Sequence, residues 1–288
     1  MKRILITGAT GNIGFELIRF LFEIKLNHQV IAGVRNIEKA KKVFQSFPEL
    51  DFVEFDFEKA ETFSEAFENV DILFLLRPPH ISEIEKYFHP LINQAVKKGI
   101  RKIMFLSVQG VEKSNVIPHH KIEQLIVDSG VDYIFLRPSY FMQNLTTTLL
   151  HDIVEKRQII LPAGKAKFNW VDVENIAEVV ALLMDNFENY KNEAIELTGD
   201  KNEDFYAAAN YLTMIIGEKI TYRNVNPLRF YFIKKKSGMP AGKILVMILL
   251  HFLPRFQKEP RISDFYKQLT GKQATTLKEF IEREKGRF

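Results

Sequence analysis

A chain of 288 residues, 46% apolar and 26% charged, has the material for a full α/β core and lies well outside the disordered class. Its 40 basic and 36 acidic residues leave a formal charge of +4 with no long basic arm or stripe, which argues against a nucleic-acid partner. The absence of cysteine excludes disulfides, thiolate nucleophiles and Cys-ligated metal centres and fits a reducing compartment.

From the first residues onward, short β-rich runs alternate with stretches of helical length. Only Ile4, Leu5 and Ile6 separate Lys2 and Arg3 from a Thr-Gly turn, too little for a secretory signal, so a cytoplasmic location is expected. Residues 3–7, 29–35, 51–57, 71–76, 102–107 and 132–137 read as strands. Between the first two, Ile13, Leu17, Phe20, Leu21 and Ile24 share one helical face, while Glu16, Arg19 and Glu23 lie mostly off it. Runs such as Ile72-Leu73-Phe74-Leu75-Leu76 are apolar throughout, as in parallel strands covered on both faces. The expected fold is therefore α/β, a Rossmann-type doubly wound parallel sheet.

Beyond about residue 138 the alternation loosens. Helices are predicted at 173–186, 204–217, 241–252 and 276–284, and brief strands at 193–197 and 219–223. The expected organisation is a nucleotide-binding domain over 1–140, rejoined by 165–186, and a smaller helix-rich substrate-binding cap over 141–288. The densest basic run, Lys234-Lys235-Lys236, reads as a solvated face. The longest apolar run, 244–250, is far short of the roughly 20 residues that span a bilayer, so no membrane partner is expected. In the segment 241–252, Leu245, Ile248, Leu249 and Phe252 suit burial against the cap, and a mobile lid is the alternative.

The strongest motif is Thr7-Gly8-Ala9-Thr10-Gly11-Asn12-Ile13-Gly14, which follows the first strand and opens the first helix. Gly8 permits a tight turn, Gly11 lets the backbone approach a pyrophosphate, and Gly14 allows close packing of helix on strand. The helix start then offers free N–H groups and a positive dipole to phosphate oxygens. NAD-preferring sites place an acid at the end of the second strand. Here Arg35 stands there, and a guanidinium grips a 2′-phosphate where a carboxylate would repel it. The expected cofactor is NADP(H). Asp56 and Phe57, ending the third strand, are candidates to accept from the adenine amino group and pack on its ring. Leu76-Arg77-Pro78-Pro79 and Ser107-Val108-Gln109-Gly110 leave the carboxyl ends of later strands, where ligands gather in open α/β sheets, and are expected to border the nicotinamide half.

With these residues in place, the chain resembles the NmrA-like branch of atypical short-chain dehydrogenases and reductases, which includes NADPH-dependent quinone and dye reductases. The likeness runs through His119-His120-Lys121-Ile122-Glu123, Asp128-Ser129-Gly130, Leu136-Arg137-Pro138-Ser139-Tyr140-Phe141-Met142-Gln143-Asn144, Asn169 to Ala177, Leu197-Thr198-Gly199 and Leu269-Thr270-Gly271. The resemblance implies that residues 137–144, with Pro138 and Tyr140, run under the nicotinamide and along one wall of the substrate pocket. It also implies that His119 and Glu123 occupy the helix on which typical members carry a Tyr-x-x-x-Lys pair. That pair is missing, since Tyr231 to Lys235 has the spacing but falls in the cap. Its loss disfavours alcohol–ketone chemistry, in which a strongly basic alkoxide needs a proton donor.

The function expected is hydride transfer from NADPH to a quinone or similar conjugated small-molecule acceptor, whose delocalised phenolate product needs less proton assistance. Tyr140, as a hydrogen-bond donor, and His119, as a proton relay near neutral pH, are the candidate assistants. Trp170 and Phe141 are candidates for an aromatic wall against a flat acceptor, with burial in the core as the alternative. His119 and His120 diverge on a helix, so no metal is implied. The alternative function is a non-catalytic NADP(H)-binding redox sensor acting on a protein partner. The sequence is compatible with a monomer or a homodimer.

Overall fold

The computed structural model describes residues 1–25 and 27–288, and they divide into two compact units. The first comprises Met1–Pro138 with Val173–Leu197, the second Ser139–Asp172 with Thr198–Phe288.

In the first unit, strands β1 (Lys2–Thr7), β2 (His28–Val34), β3 (Asp51–Glu54), β4 (Ile72–Leu76), β5 (Lys102–Leu106) and β6 (Asp132–Pro138) alternate with helices. These are α1 (Asn12–Glu23), α2 (Ile37–Val43), α3 (Phe63–Ala66), α4 (Ile84–Lys97) and α5 (Pro118–Asp128). Among the described residues the strands form one parallel sheet with the strand Glu193–Leu197 at its edge, in the order Glu193–Leu197, β6, β5, β4, β1, β2, β3. The chain winds from β1 outward through β2 and β3, then crosses to β4 and winds the other way. The all-apolar β4 is the reason such a sheet needs cover on both faces: Ile72, Leu73, Phe74 and Leu75 are fully buried.

Helix α1 buries Ile13, Gly14, Leu17, Ile18 and Leu21. It packs along helix Val173–Asp185, and Arg19 reaches Glu174 at 3.5 Å. The C-terminal carbonyls of Met184 and Asp185, which have no partner inside that helix, accept from Lys2 Nζ at 3.0 and 2.9 Å. The return to the sheet thus starts at Val173 and runs through Leu197, where 165–186 was expected. The strand Glu193–Leu197, read from sequence as part of the cap, pairs with β6.

Strand β3 stops at Glu54 rather than at residue 57. Asp56 withdraws from the ladder because its N–H donates to Thr62 Oγ1 at 3.1 Å and its carbonyl accepts from Lys59 N at 3.0 Å.

The second unit is helical around two small sheets. Phe168–Val171 pairs with Tyr140–Phe141 and with Asn202–Glu203, and Gln158–Leu161 pairs with Thr221–Asn224. Its helices begin where the sequence supplies caps. Asp204 accepts from Ala207 N before Phe205–Ile216, and Gly217, at φ +80°, ends that helix. Thr276 and Glu279 form a capping box before Leu277–Arg283. The core gathers Tyr140, Phe168, Trp170, Phe205 and Leu212. Gly199 is required there, because a Cβ would sit 1.8 Å from the Trp170 carbonyl oxygen.

Two expectations for this unit are corrected. Lys234 is not solvated: it is buried and ion-paired with the buried Asp152, which also holds Lys156 at 2.8 Å. In helix Ala241–Phe252 the buried residues are Ile244, Met247 and His251, while Leu245 and Leu249 face solvent. The helix is apolar on its exposed face as well as its buried one, so sequence periodicity does not select the buried stripe.

Candidate cofactor site

Because the sheet is parallel, the carboxyl ends of its strands share one edge, and the glycine turn lies there at the crossover between β1 and β4. Thr7 ties these strands together, donating from Oγ1 to the Phe74 carbonyl at 3.0 Å and accepting from Leu76 N at 2.9 Å. Gly8 sits at φ +62°, and a Cβ there would come within 2.9 Å of the Leu76 side chain. Gly11 N donates to the Gly8 carbonyl at 2.9 Å, closing the turn. A Cβ at Gly14 would lie 2.4 Å from Gly8 O and 2.7 Å from Ala9 Cα, so this glycine lets the helix close on its own preceding turn. The expectation that it packs against a strand is corrected accordingly.

Helix α1 has Gly11 as its N-cap, with no side-chain capping bond and no acidic residue in its first turn. The N–H groups of Asn12, Ile13 and Gly14 therefore have no acceptor within the helix, and its first turn brings no carboxylate to compete for them, which is the electrostatic condition for an anion site. Thr10, Gly11 and Asn12 are exposed, whereas the Ile13 side chain is buried and leaves only its backbone to offer. Arg35 follows β2 and is exposed on the same edge, just before Asn36 caps α2 by accepting from Lys39 N.

Other predicted residues fall differently. Asp56 accepts from Glu58 N at 3.1 Å and remains half-buried beside the edge. Phe57 is a correction: its ring is buried against Phe55 at 4.9 Å and Phe88 at 5.5 Å, so it serves the core rather than an adenine. Leu76 walls the glycine turn. Arg77 is half-buried, with Nη1 donating to the carbonyls of Pro78, Pro79 and Ile81 and Nε donating to His119 Nε2 at 3.4 Å. Ser107 N donates to Leu136 O, and its buried Oγ has no hydrogen-bond partner among the described residues. Gln109 N donates to Pro138 O at 2.9 Å, fixing the end of β6 beside the loop after β5.

His119 is half-buried over Phe105, and burial, reinforced by the positive charge of Arg77, lowers its pKa to about 3. It is neutral at pH 7. Accepting at Nε2 places its proton on Nδ1, so the role of an acid near neutral pH is corrected. Glu123, one turn further along α5, is buried and gripped by Arg137, with Nε donating at 3.1 Å and Nη2 at 2.7 Å. That pair staples α5 to β6.

Tyr140 and Trp170 belong to the second unit and are buried. Their rings meet edge to face at 4.9 Å, and Trp170 Nε1 donates to the Glu203 carbonyl at 2.9 Å. The expected aromatic wall is therefore core in the case of Trp170, while Phe141 is half-buried. The Tyr140 hydroxyl is engaged by His251, a partner that sequence reasoning missed because 111 residues separate the two. Among the described residues no cluster of acids or histidines fits a metal ion.

A parallel sheet wound both ways from β1, with a glycine turn and an uncapped helix start at its crossover, defines a Rossmann-type dinucleotide-binding fold. The NmrA-like family model matches residues 1–281, and the chain belongs to that family.

A curated relative is the Prestalk A differentiation protein A of Dictyostelium discoideum, 26% identical over 280 residues, covering 97% of this chain and 91% of the relative. Two solved structures share the fold. Triphenylmethane reductase of Citrobacter sp., complexed with NADP(H), superposes with a TM-score of 0.83 at 23% identity, covering 98% of this chain and 99% of its own. The NADPH-dependent quinone oxidoreductase QOR2 of Escherichia coli, complexed with NADPH, gives 0.83 at 24% identity, covering 97% and 99%.

Proposed function

We propose that this protein is an NADPH-dependent reductase of quinones or similar conjugated small molecules. The observation that carries the reading is the opening turn, where Gly8 and Gly14 let the chain close tightly against Leu76 and on itself, Gly11 caps the helix without a side chain, the first helix N–H groups have no acceptor within the helix, and Arg35 stands at the end of the adjacent strand. In this reading the pyrophosphate rests on the amides of residues 12–14, the 2′-phosphate on Arg35, and the nicotinamide half lies toward Arg77, Ser107 and Pro138.

Bound there, the cofactor supplies a hydride. The protein orients and stabilises. Burial lowers the Arg77 pKa, but a guanidinium starts far above neutral and stays cationic, and its hydrogen bonds go to carbonyls and a neutral imidazole, so its charge suits the negative charge that develops on a reduced acceptor. A phenolate product delocalises that charge and takes its proton from water, in keeping with a His119 that is not an acid at neutral pH.

The test is direct: mix the protein with NADPH and a panel of quinones, conjugated carbonyls and dyes, and follow the loss of reduced-cofactor absorbance. Turnover is expected for at least one acceptor, and none across the panel removes the reductase reading. One observation favours a second reading, a redox sensor: the Tyr140 hydroxyl is already satisfied by His251. A sensor requires markedly different affinities for NADPH and NADP⁺, because a ligand with no preference between states transmits nothing.

A further inference from the structure

Helix Ala241–Phe252 is apolar on two faces. One face, with Ile244, Met247 and His251, is buried, whereas Leu245, Val246, Leu249, Leu250, Leu253 and Phe256 are between 46% and 73% exposed. The spacing 245, 249, 253 with 246, 250 beside it makes a continuous stripe. Leu228 and Phe232, on the preceding helix Pro227–Lys236, are 68% and 63% exposed. Half of the large apolar side chains exposed among the described residues are these eight, within one stretch of chain.

The charge around the stripe has a single sign. Apart from the buried Lys234, residues 227–262 carry seven exposed lysines and arginines against one acid, Glu259, and Glu259 is engaged by Lys167 at 2.9 Å. Lys235, Lys236 and Lys243 are exposed. Lys243 lies in the first turn of its helix, where a cation opposes the helix dipole, so its charge does not serve the helix.

A second copy of this chain is a poor occupant for the face. A two-fold interface sets the same patch against itself, and these cations would meet cations. An apolar helical stripe that carries Lys243 on its own helix, with exposed lysines on the helix before it, instead matches a surface that is apolar beneath and anionic above.

We propose that the outward face of helix Ala241–Phe252, with the lysine turn before it, docks on an anionic phospholipid bilayer. The helix lies in the plane of the interface. Its 12 residues extend about 18 Å, which is too short to span, and among the described residues no helix is long and apolar enough to cross a membrane.

The experiment is co-sedimentation of the full chain with vesicles of equimolar phosphatidylglycerol and phosphatidylcholine, compared with phosphatidylcholine alone. The anionic vesicles are expected to bind more than about tenfold more strongly, since each lysine near such a surface contributes about fivefold. The double variant K235Q/K236Q is expected to lose roughly 25-fold, and Leu249→Asp to abolish binding. The lysine variant touches no core residue, and its unchanged melting temperature and NADPH titration would separate lost docking from lost folding. Equal sedimentation with both vesicles, or none with either, overturns the proposal. So does a lipid-free dimer that Leu249→Asp converts to monomer, because the face would then be covered by a second copy.

Discussion

The hydroxyl of Tyr140 donates to Nε2 of His251 across 2.9 Å, while Nδ1 of the same ring donates to the Met247 carbonyl at 2.7 Å. The carbonyl can only accept, so the proton on Nδ1 is assigned, and Nε2 is left with the lone pair that Tyr140 needs. Burial lowers the His251 pKa to about 4 and pushes the Tyr140 phenol well above its ordinary range, so both groups stay neutral at physiological pH.

Tyr140→Phe therefore leaves a buried imidazole nitrogen without its donor. A stability loss of about 1–3 kcal/mol is expected, measured by urea denaturation, with reductase kcat changed less than stability. A large fall in kcat at unchanged stability would instead restore Tyr140 as a proton donor.

His251 and His119 also predict a pH dependence. Both have folded-state pKa values depressed below the ordinary 6.5, to about 4 and about 3. Unfolding lets each take up a proton that the native state refuses. Their contribution is fully present above pH 6.5 and is lost as pH falls toward the folded values, His251 alone accounting for at most about 3 kcal/mol. Melting temperatures should decline from pH 7 to pH 4, and His119→Asn should reduce that slope by about half, leaving the His251 part. A flat profile over this range would show that neither ring is held neutral.

Arg35 sets the cofactor preference in the proposed site. Arg35→Ala should weaken NADPH binding by about 1.5–3 kcal/mol, the range for a hydrogen bond to a charged group, and leave NADH binding nearly unchanged. Fluorescence titrations with the two cofactors measure this, and equal losses for both would remove the 2′-phosphate role.

Gly14→Ala should be worse than an ordinary helix substitution, although alanine is the better helix former. Its Cβ would stand 2.4 Å from the Gly8 carbonyl oxygen, forcing the turn open. Loss of measurable NADPH binding is expected, together with a lowered melting temperature. A variant that binds as well as the parent would show that the turn is not the phosphate cradle.

By itself the sequence determined the parallel sheet, the glycine turn that opens α1 and the cationic end of β2, because these rest on local rules: periodicity over a few residues, the freedom of glycine at positive φ, and one side chain at a strand end. The helix Ala241–Phe252 was equally legible in its bounds. What only tertiary structure decided was the direction in which ambiguous side chains point. Phe57, Trp170 and Tyr140 were apolar or aromatic enough for either a ligand or a core, and distant partners such as Phe88, Phe205 and His251 claimed them. Lys234 was drawn inward by Asp152, 82 positions away. The outward turn of Leu245 and Leu249 had no local signal either, since a helix apolar on two faces is oriented by what packs against it.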